Sequence, residues 1–505
     1  MSRSSHFVVT MAFVGAIACD GGGGGAGAGG TGGGTGGDTG SGGTPSAGGT
    51  IGSGGTITAT GGTGSGGLST GNGGSGTGGG TVGVGGGPGS GGTSGGTGGP
   101  VGGGGGTTTT TGGKGAGGVA TGGSGTGGQI GGIGGGTTGS GGTTGACSAS
   151  SDTCPAPKGG VVWACKKRFS YGVNYAWSYF GGDFGGISAW SQQGVAGAKA
   201  ARTTDMTDMK NNGVDVIRWW MFPDLRGDGI KLDSSKSPSG LGATVIDDIN
   251  AALDIAKQLD LHIKLTLFSF DNFCADRTDS GLTIVGLQPI VVDNTKRAAL
   301  INNVVIPIAK AVEASPNKDR MVAWDVINEP EWAITGSDGY GDQNFDAQSQ
   351  CSNGAAMQAM TFTQAETFVK EVVTALHANS SAAVTVGSAA VKWAKAWSKV
   401  GLDFWDFHWY GWVDQYYPHT STPADYKVDD KPVVVGEFPL NPSSDTSGKA
   451  FGGITYGKLL DDFLAAGYAG AQGWAFSDTT AAFSWSSAKA NVKSWADANP
   501  CYTHY

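Results

Sequence analysis

The chain has 505 residues, of which 100 are glycine, and its formal net charge is −9. The acidic balance and the lack of any basic run argue against a nucleic-acid-binding protein, because such proteins cluster Lys and Arg against phosphates. Most of the glycine lies in the first third of the chain, so that part and the rest need separate treatment.

Residues 1–19 predict a targeting segment. Arg3 supplies positive charge, residues 7–17 are apolar, and the sequence Ala-Ile-Ala-Cys ends the segment at Cys19. This ending resembles a bacterial lipobox, in which the signal peptide is cut before a cysteine that receives lipid; an ordinary small-residue cleavage site is the alternative. The apolar run is too short for a transmembrane helix. We therefore expect an exported protein, either held at the outer cell surface by lipid on Cys19 or secreted.

Residues 20–145 consist almost entirely of Gly, Thr and Ser and contain no aromatic residue. Such a segment cannot bury enough apolar surface to offset the entropy lost on ordering, so it predicts a disordered linker. The folded domain is predicted to span residues 147–505.

The predicted domain alternates between strand and helix patterns. The strand patterns cover residues 169–177, 215–222, 262–270, 322–327, 383–389, 404–412, 432–438 and 469–476. The helical patterns cover residues 199–212, 244–259, 296–314 (with a kink expected at Pro307), 365–376, 456–466 and 487–497. Eight strand patterns that alternate with helical patterns predict an α/β fold of the (β/α)₈ TIM-barrel type. An open doubly wound sheet is the alternative, but no Gly-rich phosphate loop follows the first strand.

Polar or aromatic side chains end five of the predicted strands, where a barrel carries its chemistry. In chain order they are Arg218, Asn328, Glu329, His408, Tyr410, Glu437 and Trp474. Any one of these residues, taken alone, is more often a core residue whose polar atoms are hydrogen-bonded within the protein. Their recurrence at corresponding strand ends predicts an active site.

Two of these side chains, Glu329 and Glu437, are carboxylates on the fourth and seventh strands. Glycosidases use paired carboxyl groups on opposite sides of a cleft. One carboxyl group protonates the leaving oxygen, and the other attacks the sugar or activates a water molecule. Their separation decides between retention and inversion of the anomeric configuration. We expect burial to raise the pKa of Glu329, and Arg218 to lower that of Glu437.

The barrel order, with Asn-Glu-Pro at 328–330 and Gly-Glu-Phe at 436–438, resembles the clan A glycoside hydrolases, most nearly the family 5 cellulase and mannanase group. The resemblance implies a retaining β-glycosidase with Glu329 as acid/base and Glu437 as nucleophile. It implies a carbohydrate polymer or oligosaccharide of mannan or β-glucan type as substrate. Tryptophans at strand ends agree, because aromatic faces pack on sugars. We expect a monomer that uses no cofactor and no metal ion.

The same resemblance implies roles for the other strand-end residues. Asn328 matches the group that binds the sugar 2-hydroxyl, and Arg218 and Tyr410 match groups that keep the nucleophile ionised and oriented. His408 matches the histidine of strand six. Trp474 matches the floor of the −1 subsite, where similar enzymes often carry a cis peptide. The third strand departs from the family pattern, because it ends in Phe-Ser-Phe rather than histidine, and His262 lies at its other end.

Beyond Cys19, the six cysteines suggest up to three disulfides in an exported protein, while their irregular spacing disfavours zinc. We expect Cys274 to pair with Cys351, because each lies in a long loop on the active face. The others are expected to pair near the termini; they are Cys147, Cys154, Cys165 and Cys501. A loop with Asp338, Asp342 and Asp346 suggests calcium, but solvated turn aspartates are the favoured interpretation.

Three other functions remain open from the sequence. An exo-acting β-glycosidase or a transglycosylase would use the same barrel and the same two glutamates. A non-catalytic carbohydrate-binding surface protein is a further alternative, since fold alone does not fix function. The presence of both glutamates argues against that last alternative.

Overall fold

The structure is a computed structural model that describes residues 154–163, 166–340, 343–351, 354–448 and 451–503. The predicted targeting segment, the Gly-rich linker, Cys19, Cys147, Cys165 and Asp342 lie outside these residues, so the predictions about them stay predictions. Within the described ranges, no helix combines the length and the apolarity needed to cross a membrane.

Eight parallel strands close a barrel in which each strand pairs with its neighbours in the sequence and the last pairs with the first. They are β1 Ser170–Ala176, β2 Val216–Phe222, β3 His262–Ser269, β4 Met321–Asn328, β5 Ala383–Ser388, β6 Trp405–His408, β7 Val433–Pro439 and β8 Gly470–Trp474. Nearly every residue of these strands is buried, as expected for parallel strands between a packed interior and an outer layer of helices. The predicted TIM barrel is confirmed.

The helices of the outer layer are α1 Lys199–Asn211, α2 Val245–Leu259, α3 Asn294–Leu300, α4 Ile306–Ala314, α5 Phe362–Asn379, α6 Tyr456–Ala466 and α7 Trp485–Ala498. A π-helical turn, Ile301–Val305, separates α3 from α4 directly before Pro307. Proline has no N–H to donate to the preceding turn, and a widened turn accommodates that loss. The predicted single kinked helix is therefore two helices around a π turn.

Short elements lie before, between and after the barrel strands. Short helices cover Gln288–Val292, Gly411–Asp414 and Pro500–Thr503, and two-stranded pairs join Val161–Trp163 to Lys166–Arg168, Ile230–Leu232 to Pro238–Leu241, Arg277–Asp279 to Leu282–Ile284 and Ile334–Thr335 to Met360–Thr361. After β5 the chain forms a 3₁₀ helix, Val391–Trp397, instead of a full α-helix. The outer layer is thus thinnest after β5 and β6.

The predicted extent of the sixth strand, 404–412, is wrong. The strand ends at His408 and the chain turns into the short helix Gly411–Asp414. Asp445, in the loop after β7, accepts a hydrogen bond from the Gly411 N–H at 2.7 Å. This contact between distant parts of the sequence holds the turn, so strand propensity alone could not reveal it.

Two disulfides join described cysteines. The first, Cys274–Cys351, links the loops after β3 and β4, as predicted. The second, Cys154–Cys501, joins the two ends of the described domain, which agrees with a group of paired cysteines near the termini. Disulfides persist in oxidising compartments, so both are compatible with an exported protein.

Candidate active site

The seven predicted site residues come together at the C-terminal end of the barrel and are all buried. Strand pairing alone brings several of them close: His408 is in register with Glu437, and Asn328 ends β4 beside β5. His262 is the first residue of β3, at the opposite end of the barrel, where its Nδ1 lies 3.6 Å from Oδ2 of Asp215. The third strand contributes no histidine to the site.

Glu437 sits in β7 with a donor on each carboxylate oxygen. Arg218 Nη1 lies 2.6 Å from Oε1, and the Tyr410 hydroxyl donates to Oε2 at 2.7 Å. A cation and a hydroxyl on separate oxygens fix the plane of the carboxylate and favour its ionised form.

Glu329 follows β4 with a left-handed backbone, φ 47° and ψ 49°. Such a conformation costs roughly 1–2 kcal/mol for a residue other than glycine, so the surroundings must impose it. The Glu329 N–H donates to the carbonyl of Gly387 at 2.6 Å, and Pro330 ends the strand. Nδ1 of His408 lies 2.8 Å from Oε1, and the indole N–H of Trp332 donates to Oε2 at 3.0 Å.

The two glutamates face each other closely. A carboxylate oxygen of Glu329, a ring nitrogen of His408 and a carboxylate oxygen of Glu437 all lie within 4.8 Å of one another. Retaining glycosidases place their carboxyl groups about 5–5.5 Å apart, and inverting enzymes about 6.5–9.5 Å apart, to leave room for a water. The separation here fits direct attack by one carboxylate.

Burial controls the pKa values of the site. It raises the pKa of Glu329 well above the ordinary 4.5, and the nearby charge of Glu437 raises it further. Burial also raises the pKa of Glu437, to about 7, although Arg218 and Tyr410 oppose that rise. Arg218 lowers the pKa of Glu437, as expected, but desolvation outweighs the ion pair, so the pKa of Glu437 lies above its ordinary value. Burial lowers the pKa of His408 well below 6.5, so its imidazole is neutral.

The cluster of Glu329, His408 and Glu437 has the donor types of a metal site, but its surroundings do not suit a cation. The guanidinium of Arg218 is already paired with Glu437, so it supplies the positive charge that a metal ion would bring. Each oxygen of both glutamates also has a side-chain neighbour at hydrogen-bond distance. In the described part of the second long loop, Asp338 accepts the Tyr340 N–H, as a turn aspartate does.

Arg218 is the centre of a hydrogen-bond network that the sequence revealed only in part. Besides Glu437, its guanidinium donates to Asn328 Oδ1 at 2.8 Å, Asn174 Oδ1 at 2.9 Å and Asp325 Oδ2 at 2.7 Å. Asn174 and Asp325 were not predicted as site residues. Both are polar groups inside apolar strands, which is the signal that singled out Arg218.

Trp474 ends β8 and precedes a cis peptide bond to Ala475, as the family resemblance implies. Its ring centroid lies 5.5 Å from that of Trp220 and 6.0 Å from that of Trp177. The amide nitrogen of Asn328 is buried without a hydrogen-bond partner in the described residues. An unpaired buried donor is costly, so a ligand hydroxyl that accepts a hydrogen bond from Asn328 would be favoured.

A closed parallel barrel with Glu329 and Glu437 facing each other at the ends of β4 and β7 is the arrangement that the sequence resemblance to clan A glycoside hydrolases implies. No protein-family profile matches the chain. Two mannan-degrading enzymes by name are similar to the chain in sequence. A mannan endo-1,4-β-mannosidase from Cryptopygus antarcticus is 26% identical over 323 residues, covering 57% of this chain and 77% of the relative. One from Mytilus edulis is 24% identical over 337 residues, covering 62% of this chain and 84% of the relative.

Solved structures agree on the fold. The crystal structure of the Cryptopygus antarcticus β-1,4-D-mannanase matches 66% of this chain and 90% of its own, with a TM-score of 0.51 and 24% identity. The X-ray structure of the Mytilus edulis β-mannanase matches 67% of this chain and 94% of its own, with a TM-score of 0.51 and 22% identity. The predicted resemblance to clan A, family 5-like glycoside hydrolases is confirmed, and with it the enzyme class.

Proposed function

We propose that the protein is an endo-acting, retaining β-mannanase in which Glu437 is the nucleophile and Glu329 the acid/base. The observation that carries the proposal is the close pair of glutamates with different partners. Glu437 accepts hydrogen bonds from a guanidinium and a phenol hydroxyl, whereas the hydrogen-bond partners of Glu329, His408 and Trp332, are both neutral. Because the pKa of Glu329 is raised more strongly, Glu329 keeps its proton. Arg218 favours the ionised form of Glu437.

In the first step, a carboxylate oxygen of Glu437 attacks the anomeric carbon of the sugar in the −1 subsite. Glu329 donates its proton to the glycosidic oxygen, so the carbon–oxygen bond breaks and the leaving chain departs with a hydroxyl. Arg218 and Tyr410 hold Glu437 in place for this attack. The product is a covalent ester between Glu437 and the sugar.

In the second step, water attacks the same carbon from the side that the leaving chain vacated. Glu329, now ionised, accepts the proton of that water, and Glu437 leaves as a carboxylate. Two inversions give net retention. His408 is neutral and adjacent to both glutamates, so it can hydrogen-bond Glu329 in either protonation state without adding charge.

Substrate contacts follow from the unpaired amide nitrogen and the aromatic floor. The free amide nitrogen of Asn328 suits the sugar 2-hydroxyl, and the Trp474 ring suits the apolar face of the −1 sugar. Both relatives are named mannan endo-1,4-β-mannosidases, which supports mannan over β-glucan as the polymer.

The test is reducing-sugar release by the wild type from linear mannan, mixed-linkage β-glucan, carboxymethyl cellulose and xylan. We expect release from mannan above the other polymers, with an early fall in viscosity that marks endo action. The first-formed product, followed by NMR, should carry the β-anomeric configuration. An α-anomer would contradict the double displacement. Release of single sugars without a change in viscosity would indicate exo action. Binding to mannan without hydrolysis would indicate a carbohydrate-binding protein.

We also propose that the enzyme is a monomer tethered to the outer cell surface by lipid on Cys19. The support is the lipobox-like ending of the targeting segment, together with disulfides compatible with export. Cys19→Ala in a bacterial host should move mannanase activity from the membrane fraction to the soluble fraction. Unchanged fractionation would contradict the anchor and favour secretion.

A further inference from the structure

Asp325 is a fully buried carboxylate in β4, three residues before Asn328. Its Oδ2 accepts hydrogen bonds from Arg218 Nε at 3.0 Å, Arg218 Nη2 at 2.7 Å and the Thr266 hydroxyl at 3.0 Å. Its Oδ1 accepts the Gly387 N–H at 2.8 Å. Four donors on one carboxylate make Asp325 a fixed point among strands β2, β3, β4 and β5.

Asp325 is connected to Glu437 through Arg218. The guanidinium is a rigid planar fork, so holding one edge fixes the direction of the other. Asp325 holds the edge formed by Nε and Nη2, which leaves Nη1 directed at Glu437 Oε1 at 2.6 Å. The same Nη2 also donates to Asn328 Oδ1, which leaves the amide nitrogen of Asn328 unpaired for a ligand.

Asp325 is connected to Glu329 through Gly387 in β5. Gly387 donates its N–H to Asp325 and accepts the N–H of Glu329 at 2.6 Å, next to the left-handed backbone of that glutamate. Only glycine fits between these groups. A Cβ on Gly387 would lie 2.7 Å from Arg218 Nη2 and 2.9 Å from Asp325 Oδ2.

We propose that Asp325 is the positioning residue that sets the geometry of both glutamates, acting on Glu437 through Arg218 and on Glu329 through Gly387. Its hydrogen bonds in the described residues go to Arg218, Thr266 and Gly387 and not to either glutamate. This inference rests on the proposed glycosidase function and deepens it, because it assigns the source of the alignment that the two-step reaction needs.

Asp325→Asn is the direct test, because it keeps the shape of the side chain. An amide presents its NH₂ to at least one of the donors that now point at Asp325, so the hold on Arg218 or on Gly387 is lost. A misplacement of about 1 Å at reacting groups can cost about 10²-fold in rate. We expect kcat on mannan to fall by about 10²- to 10³-fold with KM changed by less than about threefold.

A double-mutant cycle with Arg218→Lys separates positioning from general damage. Lysine cannot reproduce the two-edged contact, so Arg218→Lys should itself lower kcat strongly. If Asp325 acts on Glu437 through Arg218, Asp325→Asn should add much less in the Arg218→Lys background than alone. Multiplied losses would overturn the Arg218 route of the proposal, because they would show that Asp325 affects the rate independently of Arg218.

Thr266→Val is the matched control, since it removes one of the donors to the same oxygen but leaves the Arg218 contact. We expect it to change kcat by no more than about fivefold, with thermal unfolding followed for every variant. If Asp325→Asn does not fold, Asp325→Glu keeps the charge, and a kcat loss in the folded variant supports the proposal. If the wild type is active and folded Asp325→Asn has the same kcat, the positioning role is refuted but the proposed glycosidase function is not. An inactive wild type would refute the proposed function.

Discussion

Glu437→Gln is expected to lower kcat/KM on mannan by about 10⁴- to 10⁶-fold, equivalent to about 5–8 kcal/mol of transition-state stabilisation. The amide cannot attack the anomeric carbon. It also presents an NH₂ to one of its two donors, so either Arg218 or Tyr410 loses its acceptor. Reducing-sugar release and kcat/KM on manno-oligosaccharides measure the loss.

Glu371→Gln is a matched control for this prediction. Glu371 lies on α5, pairs with the buried Arg297 and has a side chain that is 42% exposed, so its substitution should leave activity unchanged. A folded Glu437→Gln protein that keeps more than about a tenth of wild-type activity would show that another group is the nucleophile.

Azide provides a second readout at the same position. Glu437→Ala vacates the face from which the nucleophile attacks, and azide can enter that space when the substrate carries a good leaving group. Its attack replaces the leaving group from the opposite side, so the product should be an α-glycosyl azide. A β-glycosyl azide from this variant would mean that Glu437 does not occupy the nucleophile's face.

The barrel was predictable because its signals are local. Apolar runs such as 216–222 appear in the sequence as eight separate strand patterns, six of them followed by a helical pattern, and such units have few ways to pack. The polar ends were predictable for the same reason. In a buried strand, Arg218 or Glu329 stands out against its apolar neighbours without any knowledge of what it contacts.

The partners of those residues were less accessible, because they depend on how different strands meet. Asn174 and Asp325 carry the same local signal as Arg218, yet only the closed barrel shows that all three share one hydrogen-bond network. The pKa of Glu437 depends on both the cation and the depth of burial, and the sequence shows only the cation. The early end of β6 depends on Asp445, far along the chain from the turn it holds.

Glu329→Gln is expected to have an effect that depends on the leaving group. On mannan, the departing sugar oxygen needs a proton, so kcat/KM should fall by about 10³- to 10⁵-fold. On a dinitrophenyl β-mannoside, the leaving group is stable without protonation, so the first step should stay within about tenfold of the wild type. The second step still lacks its base. The covalent sugar ester on Glu437 should therefore accumulate, visible as a burst of dinitrophenol and as added mass on the intact protein.

The pH profile gives an independent check on the same assignment. In the wild type, kcat/KM should fall as pH rises through the raised pKa of Glu329, because the acid loses its proton. It should also fall as pH drops below the pKa of Glu437, about 7, because the nucleophile becomes protonated. In Glu329→Gln with the dinitrophenyl substrate, only the acidic fall should remain, since glutamine does not titrate. If kcat/KM of Glu329→Gln still decreased at high pH, at the same pH as in the wild type, another group would be titrating there, and that group would be the acid.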